Sequence, residues 1–374
     1  MLDDVKDWTD LQQQVRRQAE ILVGSGQEMG VQIAAYLHGQ PIVNVVAGVA
    51  DELTGTPVTP DTTFFSPSVG KGIASTAVHV LAERNHLHYD QRVADLWPEY
   101  ARHGKQDTTL RHILLHAAGV PELPSYMTAE ELLDWDRMCR TIAGATPAWP
   151  PGTRHGVHEW TYGWLVGEVV RRAANRPISW VLAEDIARPL HADRELFFGV
   201  PPTQLHRVAR LKDRNWTAAQ DLSSATQPNL AKVVPSDIRP GPALGNRKDI
   251  LRADLPAVST VSARGVARMY AALLGEVDGV RLISADRLDL ISTVATQGPD
   301  WTTGGDLPKT LGYLVQPDSG RIGWGGNGCG LAGFYPRLGL TVAATKNYFG
   351  VSDPDPLEAC ATLIHDSVAA SKVP

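Results

Sequence analysis

Apolar residues recur at two different periods along the chain and divide it into a strand-rich start, a helix-rich middle and a strand-rich end. In residues 8–24 they return every three to four positions, which predicts an amphipathic helix. Two apolar runs rich in β-formers, 31–37 and 42–50, flank a short polar turn and predict a hairpin. Helical spacing then dominates the middle of the chain, over 72–84, 128–144, 161–175, 178–188 and 262–274. Strand patterns return over 311–317, 331–336 and 340–346, before a last helix at 356–371.

This order of elements predicts an α+β fold. We expect an antiparallel β-sheet built from both ends of the chain and flanked by helices, with an all-helical lobe beside it. Residues 1–71 and 290–374 are assigned to the α/β lobe, and residues 72–289 to the mainly helical lobe. The stretch 222–258 is rich in Pro, Ser and Asn and predicts a long loop. A functional site is expected where the two lobes meet.

Composition and charge exclude several classes of protein. The 374 residues carry a formal net charge of -6 with both signs scattered, so we expect no nucleic-acid partner. No apolar run is long enough to span a bilayer, and the acidic start of the chain lacks the apolar segment of a secretory signal. The 3 cysteines are too few and too far apart for a disulfide framework. We therefore expect a soluble cytoplasmic protein with no membrane partner.

A serine and a lysine stand one helical turn apart at the start of the first central helix. Ser68 and Lys71 would lie on the same helix face. If the Lys71 amine is uncharged, it can accept the Ser68 proton and make the hydroxyl nucleophilic. Gly70 and Gly72 would weaken an exposed helix, but they suit a place where other groups approach the backbone closely. The pair is therefore the first candidate for an active site.

A glycine-rich run at 323–330 is the second candidate, since glycine lets the backbone approach a ligand and direct N–H groups at it. The run contains the pattern Gly-x-Gly-x-x-Gly, but a dinucleotide site needs a helix after it. Residues 331–336 predict a strand instead, so we expect no dinucleotide. His112 and His116 have the spacing of a zinc helix without its glutamate, and we expect no metal.

The order and spacing of five motifs resemble the serine β-lactamase and penicillin-binding-protein superfamily, above all its class C β-lactamase and family VIII carboxylesterase branch. The motifs lie at 64–71, 90–98, 114–121, 151–153 and 324–326. The resemblance covers nearly the whole chain and implies a β-lactamase/transpeptidase-like fold. In that fold Ser68 lies in a cleft between an α/β lobe and an all-helical lobe.

The resemblance also implies roles for individual residues. Ser68 is acylated, Lys71 helps to activate it, and the backbone N–H groups of Ser68 and Asn327 form the oxyanion hole. No metal or organic cofactor takes part. The further residues that we expect around the substrate are Trp324, Gly325, Gly326, Val157 and His158.

One departure from the family pattern concerns the proton carrier. The family usually has a tyrosine six residues after the Pro of Pro151-Gly152, and here that position is Val157, which has no proton to give. Three explanations stay open. Tyr162 reaches the site instead, His155 or His158 acts as the base, or the chain is a weakened or altered catalyst.

A second departure concerns the substrate. Members that recognise penicillins usually place a lysine or histidine where this chain has Trp324, and an aromatic wall suits a neutral, partly apolar acyl group. A Lys-Thr-Gly-like stretch at 309–312 contains an intruding leucine, and we expect a loop there.

Three functions follow as hypotheses. The first is a carboxylesterase-like serine acyl hydrolase that acts through acyl-Ser68 on a neutral ester or amide rather than on a β-lactam. The second is an acyltransferase that passes the acyl group from a small-molecule donor to an amine or alcohol. The third is a catalytically impaired binding protein, which only Val157 supports.

Overall fold

A computed structural model describes residues 7–326 and 328–371, and its strands come from both ends of the chain. The strands are β1 (Gly30–Leu37), β2 (Gln40–Asp51), β3 (Thr56–Pro57), β4 (Phe64–Pro67), β5 (Leu196–Phe197), β6 (Lys212–Asp213), β7 (Val258–Val261), β8 (Leu314–Val315), β9 (Ile322–Gly326), β10 (Gly330–Tyr335), β11 (Leu340–Lys346) and β12 (Tyr348–Phe349). Within the described ranges, the largest sheet has 7 strands in the order β3-β2-β1-β11-β10-β9-β8. A smaller sheet has the order β4-β7-β5, and β12 pairs with β6.

Helices occupy most of the chain between the strands. They are α1 (Thr9–Gly24), α2 (Val69–Glu83), α3 (Val93–Leu96), α4 (Leu110–Leu114), α5 (Trp135–Gly144), α6 (Thr161–Ala174), α7 (Ile178–Val181), α8 (Trp216–Thr226), α9 (Leu230–Val233), α10 (Pro242–Gly245), α11 (Lys248–Arg252), α12 (Ala263–Leu274), α13 (Ala285–Ser292) and α14 (Pro356–Ala370). A π-helical turn, Leu182–Ala187, continues α7. Helices and an antiparallel sheet together confirm the predicted α+β class.

The hairpin predicted near the start of the chain forms the middle of the large sheet. β1 pairs antiparallel with β2 on one side and with β11 on the other. The turn between β1 and β2 places His38 and Gly39 in the left-handed region, at φ 49° and 80°. The two ends of the chain therefore meet in one sheet.

Helices cover both faces of this sheet. α1 buries Leu11, Val15, Ala19 and Leu22, which recur at helical spacing and share an apolar cluster with α14 and the sheet. α12 packs against β1 and β11 from the main core. α12 lies inside the range 72–289 that we assigned to the helical lobe, although it contacts the sheet. The boundaries of the two lobes stay a prediction.

Two predicted elements break up in the structure, and one strand forms that the sequence did not predict. The stretch 222–258 is not one long loop, because it contains the end of α8, all of α9, α10 and α11, and the first residue of β7. The predicted helix 128–144 breaks at Asp134, whose side chain accepts a hydrogen bond from the Arg137 N–H and caps a new helix at Trp135. The glycine-rich run at 323–330 begins inside a strand, since β9 pairs with β10.

α2 lies at the centre of the molecule. Every residue from Val69 to Ala82 is buried, because the helix contacts α6 as well as β7 and β9. β4 leads directly into it, so Ser68 stands between a paired strand and a buried helix. Among the described residues, no helix combines the length and apolar character needed to cross a bilayer.

Candidate active site

The backbone around Ser68 is fixed on both sides. β4 pairs antiparallel with β7, where Pro67 opposes Val258, and α2 begins at Val69. Ser68 itself has φ 63° and ψ −28°, in a region that a non-glycine residue adopts only when the surrounding structure enforces it. The serine is partly buried at this sharp strand-to-helix turn.

The two glycines after Ser68 let other groups approach the helix, as the sequence predicted. A Cβ atom on Gly70 would lie 2.4 Å from the Val258 carbonyl oxygen. A Cβ atom on Gly72 would lie 2.1 Å from the Tyr270 hydroxyl. Any larger residue at either position would push β7 or α12 away from the start of α2.

Lys71 points at Ser68 and away from bulk solvent. Its Nζ lies 2.7 Å from Ser68 Oγ, and its side chain is only 2% exposed. The same nitrogen lies 5.2 Å from the centre of the Trp324 ring, within the range of a cation–π contact. The structure therefore brings together the predicted serine and lysine.

Glu159 joins this pair and was not among the predicted site residues. Its Oε2 lies 2.7 Å from Lys71 Nζ and 3.5 Å from Ser68 Oγ, and its side chain is 25% exposed. Glu159 follows two residues after Val157, the position where this chain lacks the tyrosine of the family pattern. That position was the signal that could have identified it.

Hydrogen bonds on both sides hold the segment that carries Glu159. The Val157 N–H donates to Asp300 Oδ1 at 3.2 Å, and the Thr302 hydroxyl donates to the Val157 carbonyl at 2.9 Å. After Glu159, the indole N–H of Trp160 donates to the Ile238 carbonyl at 3.1 Å. α6 then begins at Thr161, so Glu159 lies just before a buried helix.

A buried ion pair supports Asp300 in turn. Lys309 Nζ lies 2.9 Å from Asp300 Oδ2 and 2.9 Å from His155 Nδ1, and both charged side chains are buried. Burial alone would raise the pKa of Asp300, but its interactions with His155 and Lys309 hold that pKa well below its ordinary value. Residues 309–312 form a loop, as predicted, and its lysine stabilises the turn that holds Val157.

Val157 and His158 are buried beside this turn, with 3% and 1% exposure. The Val157 side chain belongs to the main apolar core. His158 Nδ1 lies 2.7 Å from the Gly156 carbonyl oxygen, and Nε2 accepts the Val120 N–H at 3.2 Å. Burial lowers the pKa of His158 to about 4, so the ring is neutral. The structure brings neither His158 nor His155 against Ser68.

Tyr162 is fully buried in α6 and contacts a different serine. Its hydroxyl lies 2.6 Å from Ser75 Oγ, and its ring stacks on His116 with centroids 4.4 Å apart. Burial raises the pKa of Tyr162, which disfavours the loss of its proton. Its hydroxyl makes no direct hydrogen bond to Ser68 or Lys71, all three being described residues, and its proposed part in proton transfer stays a prediction.

The third motif lines the inner side of the site. Trp324 is 3% exposed and donates its indole N–H to the Gly312 carbonyl at 2.9 Å. Gly325 is partly buried. Gly326 approaches the chain next to Ser68, since a Cβ atom there would lie 2.3 Å from the Pro67 carbonyl oxygen.

Of the two residues predicted to form the oxyanion hole, the structure describes Ser68. Asn327 lies outside the described residues. The Ser68 N–H donates to the Ala257 carbonyl at 3.1 Å, so it is not free to bind an oxyanion in this conformation. The assignment of the Ser68 N–H to the oxyanion hole stays a prediction. It requires this N–H to release the Ala257 carbonyl and donate to the substrate instead.

A narrow pocket opens at Ser68 with a volume of ≈ 10 Å³, which is about the room needed by one water molecule. Residues from four separate segments form its wall: Pro67, Ser68, Lys71, Glu159, Trp160, Pro240, Ala257 and Val258. The described ranges contain no group of three His, Cys, Asp or Glu side chains placed to hold a metal ion. The pocket therefore presents the Ser68 hydroxyl, the Lys71 amine and the Glu159 carboxylate.

Comparisons with known proteins identify relatives of this chain. The chain is 31% identical over 335 residues to the esterase/beta-lactamase LipL of Mycobacterium tuberculosis, covering 85% of this chain and 77% of that protein. A family VIII carboxylesterase has the same fold with a TM-score of 0.85 and 26% identity, over 94% of this chain and 97% of that one. A penicillin-binding-protein homolog from Caulobacter crescentus gives a TM-score of 0.83 and 28% identity, over 97% and 98% of the two chains.

The family profile named Beta-lactamase matches residues 12–363, which include Ser68, Lys71, Glu159 and the third motif. The fold, the serine–lysine pair and this match lead to one conclusion: the chain belongs to the beta-lactamase family.

Proposed function

We propose that the protein is a serine acyl hydrolase that acts through an acyl-Ser68 intermediate on a neutral ester or amide. The observation that carries this proposal is the 2.7 Å contact between Lys71 Nζ and Ser68 Oγ in a site where the amine is almost fully buried. A held amine beside a hydroxyl is one of the arrangements that activate a serine nucleophile. Acylation and deacylation then divide one difficult step into two easier ones.

The charges around the pocket support a neutral substrate. Among the described residues that line it, Lys71 is the one cation, and it is already paired with Glu159. Trp324 offers no cationic group at the first position of the third motif. A substrate carboxylate would therefore meet the Glu159 carboxylate without a free cation to balance it.

The names of two relatives support the same class of reaction. The 31% identical protein is called an esterase/beta-lactamase, and the 26% identical structure is a family VIII carboxylesterase. Ester hydrolysis is common to both names, whereas β-lactam hydrolysis is named in one. We therefore place esters first and make a β-lactam one arm of the test.

The test combines turnover with intact-mass measurement. Ser68→Ala should abolish the hydrolysis of a short p-nitrophenyl ester, and the wild type should gain the acyl mass on the peptide that contains Ser68. Ser66→Ala is the matched control. Ser66 lies two residues before Ser68, and its buried hydroxyl donates a hydrogen bond to the Phe64 carbonyl. Activity that persists in Ser68→Ala would overturn the proposal.

The same acyl-enzyme shows which acceptor is used. Release of the acyl group at one rate with and without added amines or alcohols supports a hydrolase. Faster release with formation of an amide or a new ester would replace the hydrolase by an acyltransferase. A chromogenic cephalosporin run in parallel should turn over far more slowly than the ester, and faster turnover would overturn the neutral-substrate proposal.

A further inference from the structure

We propose that the Glu159 carboxylate is the final acceptor of the Ser68 proton, and that Lys71 passes the proton on to it. This inference rests on the proposed function, because it concerns the same acyl-Ser68 chemistry. It assigns a proton acceptor to a site in which Val157 stands where the family pattern has a hydroxyl.

Three atoms form a continuous path for the proton. Ser68 Oγ, Lys71 Nζ and Glu159 Oε2 follow one another with two contacts of 2.7 Å each. Glu159 Oε2 is also 3.5 Å from Ser68 Oγ, which is long for a hydrogen bond. Catalytic contacts are often long before substrate binds, but the short path through Lys71 is the one already formed.

The charges explain why the path must end on Glu159. Lys71 Nζ and Glu159 Oε2 are 2.7 Å apart, so a basic and an acidic group are in direct contact. An ammonium group has three donors and no lone pair, and it cannot accept a proton unless it gives one away. The carboxylate at its other side has the free lone pairs that receive it.

Other candidate acceptors are engaged elsewhere. The Tyr162 hydroxyl bonds to Ser75, and both ring nitrogens of His158 bond to backbone groups. His155 contacts Lys309 through Nδ1 and the Gln297 carbonyl through Nε2. Among the described residues that line the pocket, Glu159 is the one carboxylate.

Acylation balances along this path. Ser68 Oγ forms a bond to the ester carbonyl carbon, and the carbonyl π electrons move onto its oxygen. The Oγ proton moves to Lys71 as Lys71 gives a proton to Glu159, which leaves an ammonium beside a neutral carboxyl group. When the double bond forms again, the bond to the alcohol oxygen breaks, and that oxygen takes a proton from Lys71, which is refilled from Glu159.

Deacylation repeats the steps with water. The water oxygen bonds to the acyl carbon, and one of its protons passes through Lys71 to Glu159. The bond between the carbon and Ser68 Oγ then breaks, and Oγ recovers that proton. The products are the acid and the alcohol, and the enzyme returns to its starting charges.

The Glu159→Gln variant distinguishes two hypotheses: that Glu159 is the final proton acceptor, and that Lys71 alone is the base. Glutamine keeps the shape and can still accept a hydrogen bond from Lys71, but it cannot take a proton. We expect kcat/KM for the p-nitrophenyl ester to fall by about a hundred- to ten-thousandfold. If Lys71 is itself the final base, removal of the carboxylate that keeps it charged leaves the rate unchanged or raises it, and the inference is wrong.

Two further variants distinguish proton transfer from a structural role. Glu159→Asp keeps a carboxylate and should retain more activity than Glu159→Gln. Glu159→Ala should regain activity as formate is added, because a free carboxylate can occupy the space and accept the proton. No rescue by formate together with equal losses in all three variants would overturn the inference.

The controls keep the possible failures apart. Glu122→Gln makes the same chemical exchange at an exposed glutamate outside the pocket and should keep wild-type turnover. Thermal melting of each variant checks the fold. Ser68→Ala is assayed in the same series: if it is active, the proposed function fails, whereas an inactive Ser68→Ala beside a fully active Glu159→Gln rejects only the role of Glu159.

Discussion

Ser68 keeps a backbone conformation that its own side chain disfavours. A non-glycine residue at φ 63° costs of the order of 1–3 kcal/mol, so neighbouring structure must enforce it. Pairing of β4 with β7 fixes the chain before Ser68, and burial of α2 fixes the chain after it. The bond from the Ser68 N–H to Ala257 adds a third constraint. The hydroxyl is thus held against Lys71 before any substrate arrives.

Tyr162→Phe tests whether Tyr162 carries a proton in the reaction. The Ser75 hydroxyl would keep its contacts with the Lys71 and Gly312 carbonyls, at 2.7 and 2.8 Å. We therefore expect kcat to change less than about threefold, because the phenol makes no direct hydrogen bond to Ser68 or Lys71. Stability should fall by about 1 kcal/mol for the lost hydrogen bond, measured by denaturant unfolding. A hundredfold loss of kcat without unfolding would restore Tyr162 as the proton carrier.

Local spacing explains which site residues the sequence could predict. Ser68 and Lys71 are one helical turn apart, so their contact follows from the helix alone. Glu159 lies 88 residues from Lys71, and only the packing of α6 against α2 brings it to the amine. No helix or strand period in the sequence predicts that contact, and the position of Glu159 two residues after Val157 is the one indication of it. Tyr162 was the chemically plausible substitute, but its position in α6 directs its hydroxyl to Ser75.

On the scale of the elements, the turn around Asp300 holds the segment that carries Glu159. Asp300 Oδ1 accepts the N–H groups of Val157, Thr302 and Thr303, while Oδ2 faces Lys309. A single carboxylate thus links the segment before α6 to the loop before β8. A change in the position of this turn would shift Val157, and it would therefore also shift Glu159, which is two residues further along the chain.

Asp300→Asn should destabilise the protein and weaken the site together. It leaves the buried Lys309 charge without its partner, which typically costs about 3–5 kcal/mol of unfolding free energy. Because the folded-state pKa of Asp300 is depressed, its stabilising contribution is complete above the ordinary value of 3.8 and is lost as the pH falls further. The free energy of unfolding, measured with denaturant, should therefore differ most between wild type and variant at pH 7, and this difference should decrease below about pH 4.

Asp306→Asn is the control for this measurement, since Asp306 is exposed and accepts a hydrogen bond from the Gly298 N–H in the same loop. If both variants lose the same free energy of unfolding, the buried Asp300–Lys309 pair contributes no more to stability than this exposed carboxylate.

Periodicity predicted the long helices well and the glycine-rich parts poorly. α1, α6, α12 and α14 carry clear helical spacing and lie within one or two residues of their predicted bounds. β9 was not predicted as a strand, because three of its five residues are glycines and only its pairing with β10 makes it one. The short helices within 222–258 begin near prolines and asparagine, which the sequence favours as loop residues.

On the scale of the whole molecule, the pocket is closed by segments far apart in the chain. Pro240 forms one wall, and the Trp216 indole N–H donates to the Pro240 carbonyl at 2.7 Å. The Trp216 ring also packs closely against two glycines. A Cβ atom on Gly241 would lie 2.7 Å from the ring, and one on Gly328 would lie 2.6 Å from it. One side chain in α8 therefore connects the Pro240 wall to the glycine-rich run after β9. We expect this connection to limit the room beside Ser68.

Trp216→Phe should widen the range of acyl groups that the site accepts. The ring remains, but the bond that fixes Pro240 is lost, and a bond of about 1 kcal/mol corresponds to about a fivefold change in a ratio of rates. We expect the ratio of kcat/KM for an octanoyl ester over an acetyl ester to rise by about that factor. Trp135→Phe is the matched control, because it removes an indole bond to Glu168 of 2.9 Å in a part of the chain that does not line the pocket. If the ratio stays at the wild-type value, or if both variants raise it equally, the Pro240 wall does not limit the acyl chain and substrate size is set elsewhere.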